Sequence, residues 1–325
     1  MRIAVDAMGG DLAPQAPVHG AVWAAREFGC PVVLVGQEAA IRHALSEVED
    51  VPAELIEICD APEFIEMDEP AAAAFKKKKG SSIRVAFNLV KEGKVHGVVS
   101  AGNSGAIMTG AALVLGRTVG VDRPAIAGVF PSLSGPIVVI DVGANVNCKP
   151  RHLFQFAIMG DIYARSVLHI ENPQVGLLSI GEESSKGNEL VKHVHELLRN
   201  TNLNFIGNVE GRDIFSGKAQ VIICDGFVGN VCLKLTEGLG QVFKIMLVEE
   251  AKKEWMSRLG FFFARGVNGA GIVCHGSSPA KAIKNAVRAA REVVQNRVNE
   301  HLARGLARFS QEEMSSQPEK GEGVS

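Results

Sequence analysis

Residues 100–106 read SAGNSGA, directly after the β-branched pair Val98–Val99, and almost every bulky side chain is absent from what looks like a strand exit. Glycine lets backbone approach a ligand closely, and the free N–H groups at a helix start attract anions. With Asn103 and Ser104 opening the following helix, this stretch is built to hold an oxyanion. The same chemistry recurs at DAMGGD (6–11), DVGANVNCKP (141–150), SIGEESSKGNE (179–189), GNVEGRD (207–213), DGFVGN (225–230) and GVNGAGIVCHGSS (266–278). One such loop is a tight strand-to-helix turn. Seven in one chain argue for a ligand cleft beyond the carboxyl ends of the strands of an α/β sheet.

Other chemistries lack their residues. G-x-G-x-x-G after the first strand, G-x-x-x-x-G-K-[ST], G-x-S-x-G and H-E-x-x-H do not occur. His193 and His195 stand two apart on an expected surface helix, where such positions do not share a face, so they read as solvated side chains. Asp6, Asp141 and Asp225 open their loops and read as turn-fixing acids, and no acids or histidines show metal-ligand spacing, so no metal and no cofactor is expected. Without a nucleophile–base pair, the cleft suits a reaction whose nucleophile arrives as a substrate. Inorganic phosphate fits, because it is largely dianionic near neutrality and needs to be bound, oriented and matched by donors for the developing oxyanion.

These loops must be positioned by elements, and the hydrophobic pattern supplies them. Strands are expected over 2–7, 31–36, 97–102, 136–141, 174–181, 203–211 and 219–226, as short β-branched runs. Helices are expected over 14–28, 37–48, 80–92, 103–116, 150–168, 188–199, 229–255 and about 279–302. PAIAGVFPS and GPIVVID, joined by a Ser-Gly turn, read as an antiparallel pair. The expected fold is α/β, a mixed, largely parallel sheet flanked by helices in three layers. One catalytic domain over 1–305, as one body or as two lobes around a cleft, would be followed by a disordered polar tail over 306–325.

Bulk composition sets limits. The 325 residues carry a formal net charge of -2, so no global field recruits nucleic acid. Six cysteines lie mostly in apolar runs without a C-x-x-C pair and read as reduced thiols. No run approaches the ~20 apolar residues of a membrane span, and the N-terminus enters a strand directly, so a cytoplasmic protein is expected.

Taken in order, IAVDAMGGDLAP, SAGNSGA, DVGANVNCKP, QFAIMGDIYA, IGEESSKGNE, GNVEGRDI, DGFVGNVCLK and GVNG…HGSS closely resemble the bacterial phosphate acyltransferase family, the acyl-acyl-carrier-protein:phosphate acyltransferases, over about residues 1–300. The resemblance implies a fold similar to the isocitrate/isopropylmalate dehydrogenase and phosphotransacetylase group. It implies transfer of a fatty acyl group from acyl carrier protein to inorganic phosphate, the acyl-phosphate feeding a membrane glycerol-3-phosphate acyltransferase in phospholipid synthesis. It further implies a homodimer, peripheral attachment to the membrane and no cofactor. Carried over residue by residue, Lys186, Asn230 and His275 become the catalytic candidates, and Gly102, Asn103, Ser104, Gly105, Asn145, Gly226 and Gly229 the phosphate-binding ones.

The chain departs from the family pattern with Ser104 for threonine, Asn147 and Gln220 each for aspartate, and a short segment before GVNG. In that segment Trp255, Leu259 and Phe261–Phe263 mix with Lys252, Lys253, Arg258 and Arg265, which suits an anionic membrane surface, a dimer interface or a core corner. The run KKKK (76–79) with Arg84 is either a solvated face or a dock for an acidic carrier. The competing functions are a phosphotransacetylase-like enzyme using short acyl-CoA and a non-catalytic membrane scaffold. A nicotinamide-dependent dehydrogenase on the related fold is disfavoured by the missing fingerprint.

Overall fold

Strand by strand, alternate side chains enter two separate cores. Ile3, Val5, Val32, Leu34, Val138 and Ile140 pack into one, while Ala4, Val33, Val35, Ile137 and Val139 pack into the other. This is the two-residue period of a sheet covered on both faces. A computed structural model describes residues 1–247, 261–265, 267 and 269–315.

The elements run β1 (Ile3–Asp6), α1 (Gln15–Phe28), β2 (Val32–Gly36), α2 (Glu38–Ser46), β3 (Ile56–Asp60), α3 (Ala71–Lys77), α4 (Ser82–Lys91), β4 (Gly97–Ser100) and α5 (Ser104–Gly110). They continue with β5 (Ala125–Ser132), β6 (Gly135–Ile140), α6 (Pro150–Ser166), β7 (Val175–Leu178), α7 (Glu189–Arg199), β8 (Phe205–Val209), β9 (Val221–Ile223) and α8 (Gly226–Leu247). β10 (Phe261–Arg265), β11 (Ala270–Cys274), α9 (Ala280–Gln295) and α10 (Val298–Ser315) complete the series. Residues of α1, α2, α6, α7, α9 and α10 fill the first core, and those of α3, α4, α5 and α8 the second. The layers are therefore helix, sheet, helix.

The sheet order is β3-β2-β1-β4-β11-β10-β5-β6-β9-β7-β8. β3, β2, β1, β4 and β11 are mutually parallel, as are β6, β9, β7 and β8. Three antiparallel pairings, β11–β10, β10–β5 and β5–β6, separate the two blocks and reverse the second relative to the first. The β5–β6 pair closes at Ser132↔Gly135, where the Ser-Gly turn was expected. The carboxyl ends of the two parallel blocks thus lie on opposite edges of the strand array. Twist of roughly 20–25° per step rotates the blocks strongly against each other.

Several expectations are revised. β3 is an edge strand whose alternating IEICD leaves glutamate outward, a weak strand signal. Between the glycine-rich GVNG and HGSS, AGIVC is not loop but the fully buried strand β11. The helix expected over 103–116 stays α-helical only to Gly110 and continues as a π turn over Ala111–Leu115. The helix expected over 279–302 breaks at Asn296–Arg297, where Arg297 takes a φ of 47°. The supposed tail from 306 begins inside α10, because Leu302 and Leu306, one turn apart, are both buried in the core. Residues 316–325 lie outside the described residues. So do 248–260, which hold most of the aromatic and basic segment, whereas its residues 261–265 pair as β10 between β11 and β5.

Candidate active site

Asp141, at the end of β6, organises the first loop. Its Oδ1 accepts the N–H groups of Ile126 (3.0 Å), Gly143 (3.2 Å) and Ala144 (3.1 Å). Its Oδ2 accepts from Asn145 N (2.7 Å) and Asn145 Nδ2 (2.9 Å), and that amide also reaches the Pro124 carbonyl at 2.8 Å. Burial holds the Asp141 carboxyl above its usual range, against the pull of these hydrogen bonds. Asn145 is thus buried and fastens the loop.

α8 is seated on this loop. Gly226 N donates to the Asn145 carbonyl at 2.8 Å, and Asp225 Oδ1 caps the helix by accepting from Phe227 N and Val228 N, both at 2.9 Å. A Cβ on Gly226 would lie 2.8 Å from Asn145 N, and one on Gly229 would overlap the Asp141 carbonyl oxygen. These two glycines build the wall. One residue on, Asn230 is exposed, and its Oδ1 lies 3.5 Å from where a Gly143 Cβ would stand.

Lys186 lies in the loop after β7, the strand beside β9. Its Cγ is 2.9 Å from where a Gly181 Cβ would stand, its backbone N–H donates to the Glu183 carbonyl at 3.0 Å, and its side chain is exposed. Asn208 Nδ2 donates to that same carbonyl at 2.8 Å, and Lys218 Nζ meets Glu182 Oε1 at 2.8 Å. Loops carrying Lys186 and Asn230 therefore follow neighbouring strands at one edge.

The other edge carries the opening motif. Ser100 Oγ donates to Asp6 Oδ2 at 2.7 Å and accepts from Gly102 N at 3.0 Å, while Asp11 N donates to the Gly276 carbonyl at 2.8 Å. Burial raises the Asp6 carboxyl, with Ser82 and Ser100 pulling the other way. Asn103 caps α5 by accepting from Ala106 N at 3.1 Å, and its Nδ2 lies 3.3, 3.2 and 3.0 Å from the carbonyls of Glu66, Met67 and Glu69. Expected as an anion ligand, Asn103 has an amide that ties down the 66–69 loop. Ser104 and Gly105 are exposed beside it, and Gly102 is buried.

His275 couples the two edges. Its Nδ1 accepts from Ser277 N at 3.2 Å, which places the proton of the neutral ring on Nε2, and Nε2 lies 3.8 Å from Glu237 Oε2 of α8. Asn230, Lys234 and Glu237, spaced four and three apart, share a helical face. The seven loops expected around one cleft thus form two clusters that α8 and His275 connect.

Asp6, Asp141 and Asp225 fix turns, as expected from the sequence. The Gln220 side chain both accepts from Gln174 N (2.9 Å) and donates to the Gly217 carbonyl (3.1 Å). The Asn147 side chain is exposed. Among the described residues, no three of His, Cys, Asp and Glu cluster to hold a metal ion.

All six cysteines are free thiols. Cys148, whose Sγ donates to the Asn145 carbonyl at 3.3 Å, is pushed up to about 11 by burial and then by Asp141. Burial raises Cys224 well above its usual value and pushes Cys274 up to about 12. With a pKa near 11, on the order of one Cys148 in a thousand is thiolate at pH 8. Iodoacetamide is therefore expected to leave Cys148 unmodified in the folded protein at pH 8, with labelling rising as pH climbs through about 11. Peptide mass mapping checks this, and rapid labelling at pH 7 would contradict it. A thiol so poorly ionised is a poor acyl acceptor.

Comparisons with known proteins bear on this geometry. The profile of the fatty acid synthesis protein family matches residues 1–265. The phosphate acyltransferase of Pelobacter propionicus is 51% identical over 328 residues, covering 94% of each chain. That of Geobacter sulfurreducens is 51% identical over 324 residues, covering 93% of each. In three dimensions the chain is similar to a phosphotransacetylase from Streptococcus pyogenes, with TM-score 0.63 and 18% identity over 90% of this chain and 94% of that one. It is also similar to a 4-hydroxythreonine-4-phosphate dehydrogenase from Klebsiella pneumoniae, with TM-score 0.57 and 15% identity over 91% and 98%. These two likenesses show the fold. With half its residues shared along nearly its whole length with phosphate acyltransferases, the chain belongs to that family of enzymes, which transfer an acyl group to phosphate.

Proposed function

We propose that the protein transfers a fatty acyl group from an acyl-carrier-protein thioester to inorganic phosphate, supplying acyl-phosphate to phospholipid synthesis. The observation that carries acyl transfer to phosphate is the extent of identity to phosphate acyltransferases, and the chain carries Lys186, Asn230 and His275 in the motifs of the resemblance.

In this reading a phosphate oxygen attacks the thioester carbonyl, the carbon–sulfur bond breaks, and the proton of monohydrogen phosphate ends on the departing sulfur. Acyl-phosphate and free thiol are the products. Lys186 and Asn230 stabilise the oxyanion that develops, and the exposed Ser104 hydroxyl holds phosphate. His275, whose Nε2 faces α8, donates to the phosphate or the sulfur. Gly102, Asn103, Asn145, Gly226 and Gly229 act by building the loops. Val146 and Ile180, apolar yet exposed on two loops of the Lys186 edge, offer surface to an acyl chain; Ile180 is 83% exposed.

A carrier-bound donor is supported by α3. Lys76, Lys77 and Lys79 are exposed, whereas Lys78 is tied to Glu69 and the Phe64 carbonyl, and Arg84 donates to the Phe75 carbonyl at 2.9 Å and lies over its ring. α3 follows the 66–69 loop that Asn103 holds. An acidic carrier would be steered there.

A homodimer is supported by Phe227, Val231, Leu235 and Leu239, an exposed apolar stripe along α8. No helix among the described residues is long and apolar enough to cross a membrane, so attachment to one would be peripheral.

Hydroxylamine trapping of acyl-phosphate tests the reading, with phosphate and either palmitoyl-carrier thioester or acetyl-CoA. Phosphate-dependent product from the palmitoyl carrier is expected. Product from acetyl-CoA alone would instead establish a phosphotransacetylase-like enzyme, and none from either would favour a scaffold. Reversing Lys76, Lys77 and Lys79 to glutamate is expected to raise KM for the carrier thioester about tenfold at low salt while sparing palmitoyl-CoA. Equal effects on both donors would remove the docking role.

A further inference from the structure

We infer that Asn208 is a positioning residue for Lys186, an inference that rests on the reading of Lys186 given above. Asn208 lies on β8, is 3% exposed, and sends its Nδ2–H to the Glu183 carbonyl at 2.8 Å. That carbonyl also accepts the Lys186 N–H at 3.0 Å. One acceptor therefore receives both a buried side chain from the sheet and the backbone of the lysine. The link ties an exposed loop to a buried side chain of the edge strand β8, and the only residues between the two bonded positions are Ser184 and Ser185.

The other end of the same amide makes the case stronger. Asn208 Oδ1 is buried and has no hydrogen-bond partner within the protein. A buried acceptor left unmet costs stability, so an asparagine here is a poor choice for packing alone. An apolar side chain of similar outline would serve the core better and lose the bond to Glu183. Lys218, which meets Glu182 at 2.8 Å, steadies the neighbouring residue from the surface, but it is solvent-exposed and can hold the loop only loosely. The buried donor of Asn208 defines where the loop sits, and through the shared carbonyl it defines where the Lys186 backbone begins.

Asn208→Leu and Asn208→Ala in the full-length protein test this by hydroxylamine trapping with phosphate and palmitoyl-carrier thioester. The leucine variant removes the unmet acceptor together with the donor, so its melting temperature is expected to stay near that of the parent. Its kcat is expected to fall about tenfold, with KM for the carrier thioester changed less than twofold. Combined with Lys186→Ala, it is expected to add no further loss, because both changes remove one effect. A folded leucine variant with parental kcat would overturn the inference, as would a double variant slower than Lys186→Ala by the full tenfold. If the leucine variant does not fold, the alanine variant carries the same two comparisons. Should Lys186→Ala keep parental kcat, the role of Lys186 falls and that of Asn208 with it. Should Lys186→Ala be crippled while neither Asn208 variant is, only the positioning role falls.

Discussion

Replacing Gly229 with alanine is expected to destabilise the protein by about 3 kcal/mol or more and to abolish acyl-phosphate formation with it. The added methyl would overlap the Asp141 carbonyl oxygen and stand 2.9 Å from both its carbonyl carbon and Cys224 Sγ. None of these neighbours can yield cheaply. Asp141 is anchored by five donors to its side chain, and its own backbone N–H is bonded to the Cys224 carbonyl at 3.0 Å. The strain must therefore displace the first turn of α8, and Asn230 moves with it. Urea denaturation monitored by circular dichroism, alongside the trapping assay, checks this. A variant with an unchanged urea midpoint would mean that α8 does not sit on the Asp141 loop as described.

Lys186→Ala and Asn230→Ala are each expected to lower kcat by about 10²–10³-fold, the usual cost of removing one donor to a developing oxyanion. Both side chains are exposed, so melting temperatures should move little, and the loss should appear in kcat more than in the KM for the acyl donor. Steady-state kinetics on the purified variants decide the matter. Parental turnover in either one would remove that residue from the chemistry. His275→Ala separates its two candidate roles through the thiol product. A donor to the sulfur matters most for donors with a high thiol pKa, whereas a phosphate ligand raises KM for phosphate with every donor.

The parts of the site that were legible in the sequence are those where local chemistry has no alternative. Asp141 and Asp225 open turns whose N–H groups need an acceptor, and both accept them. Asn103 was legible as a helix cap, but its three carbonyl contacts come from residues 34 to 37 positions earlier, which no local pattern reports. Asn145 was marked for phosphate, yet its amide meets Asp141 and Pro124 because the β5–β6 pairing brings the strand starting at Ala125 alongside. Asn208 escaped attention for the opposite reason. It falls inside the expected strand 203–211, but which side chains a strand turns toward a neighbouring loop is not a local property, and only the pairing of β8 with β7 brings Asn208 to the loop of Lys186.

By itself the sequence determined the family, the kind of reaction, the buried β-branched strands and the small-residue loops that end them. The family and the kind of reaction came through the resemblance of its ordered motifs, whereas the strands and loops follow from patterns within a few residues, where propensity and turn chemistry act. It also determined the antiparallel β5–β6 hairpin, because a two-residue turn brings each strand back alongside the other. The tertiary structure decided the rest. It inserted β10 and β11 between β4 and β5, reversed one parallel block against the other, and so divided seven similar loops into two clusters. It joined those clusters through α8 and the approach of His275 to Glu237, residues 38 positions apart. Strand order and direction arise from pairings between distant segments whose local patterns are nearly the same, and only burial of both sheet faces at once selects among them.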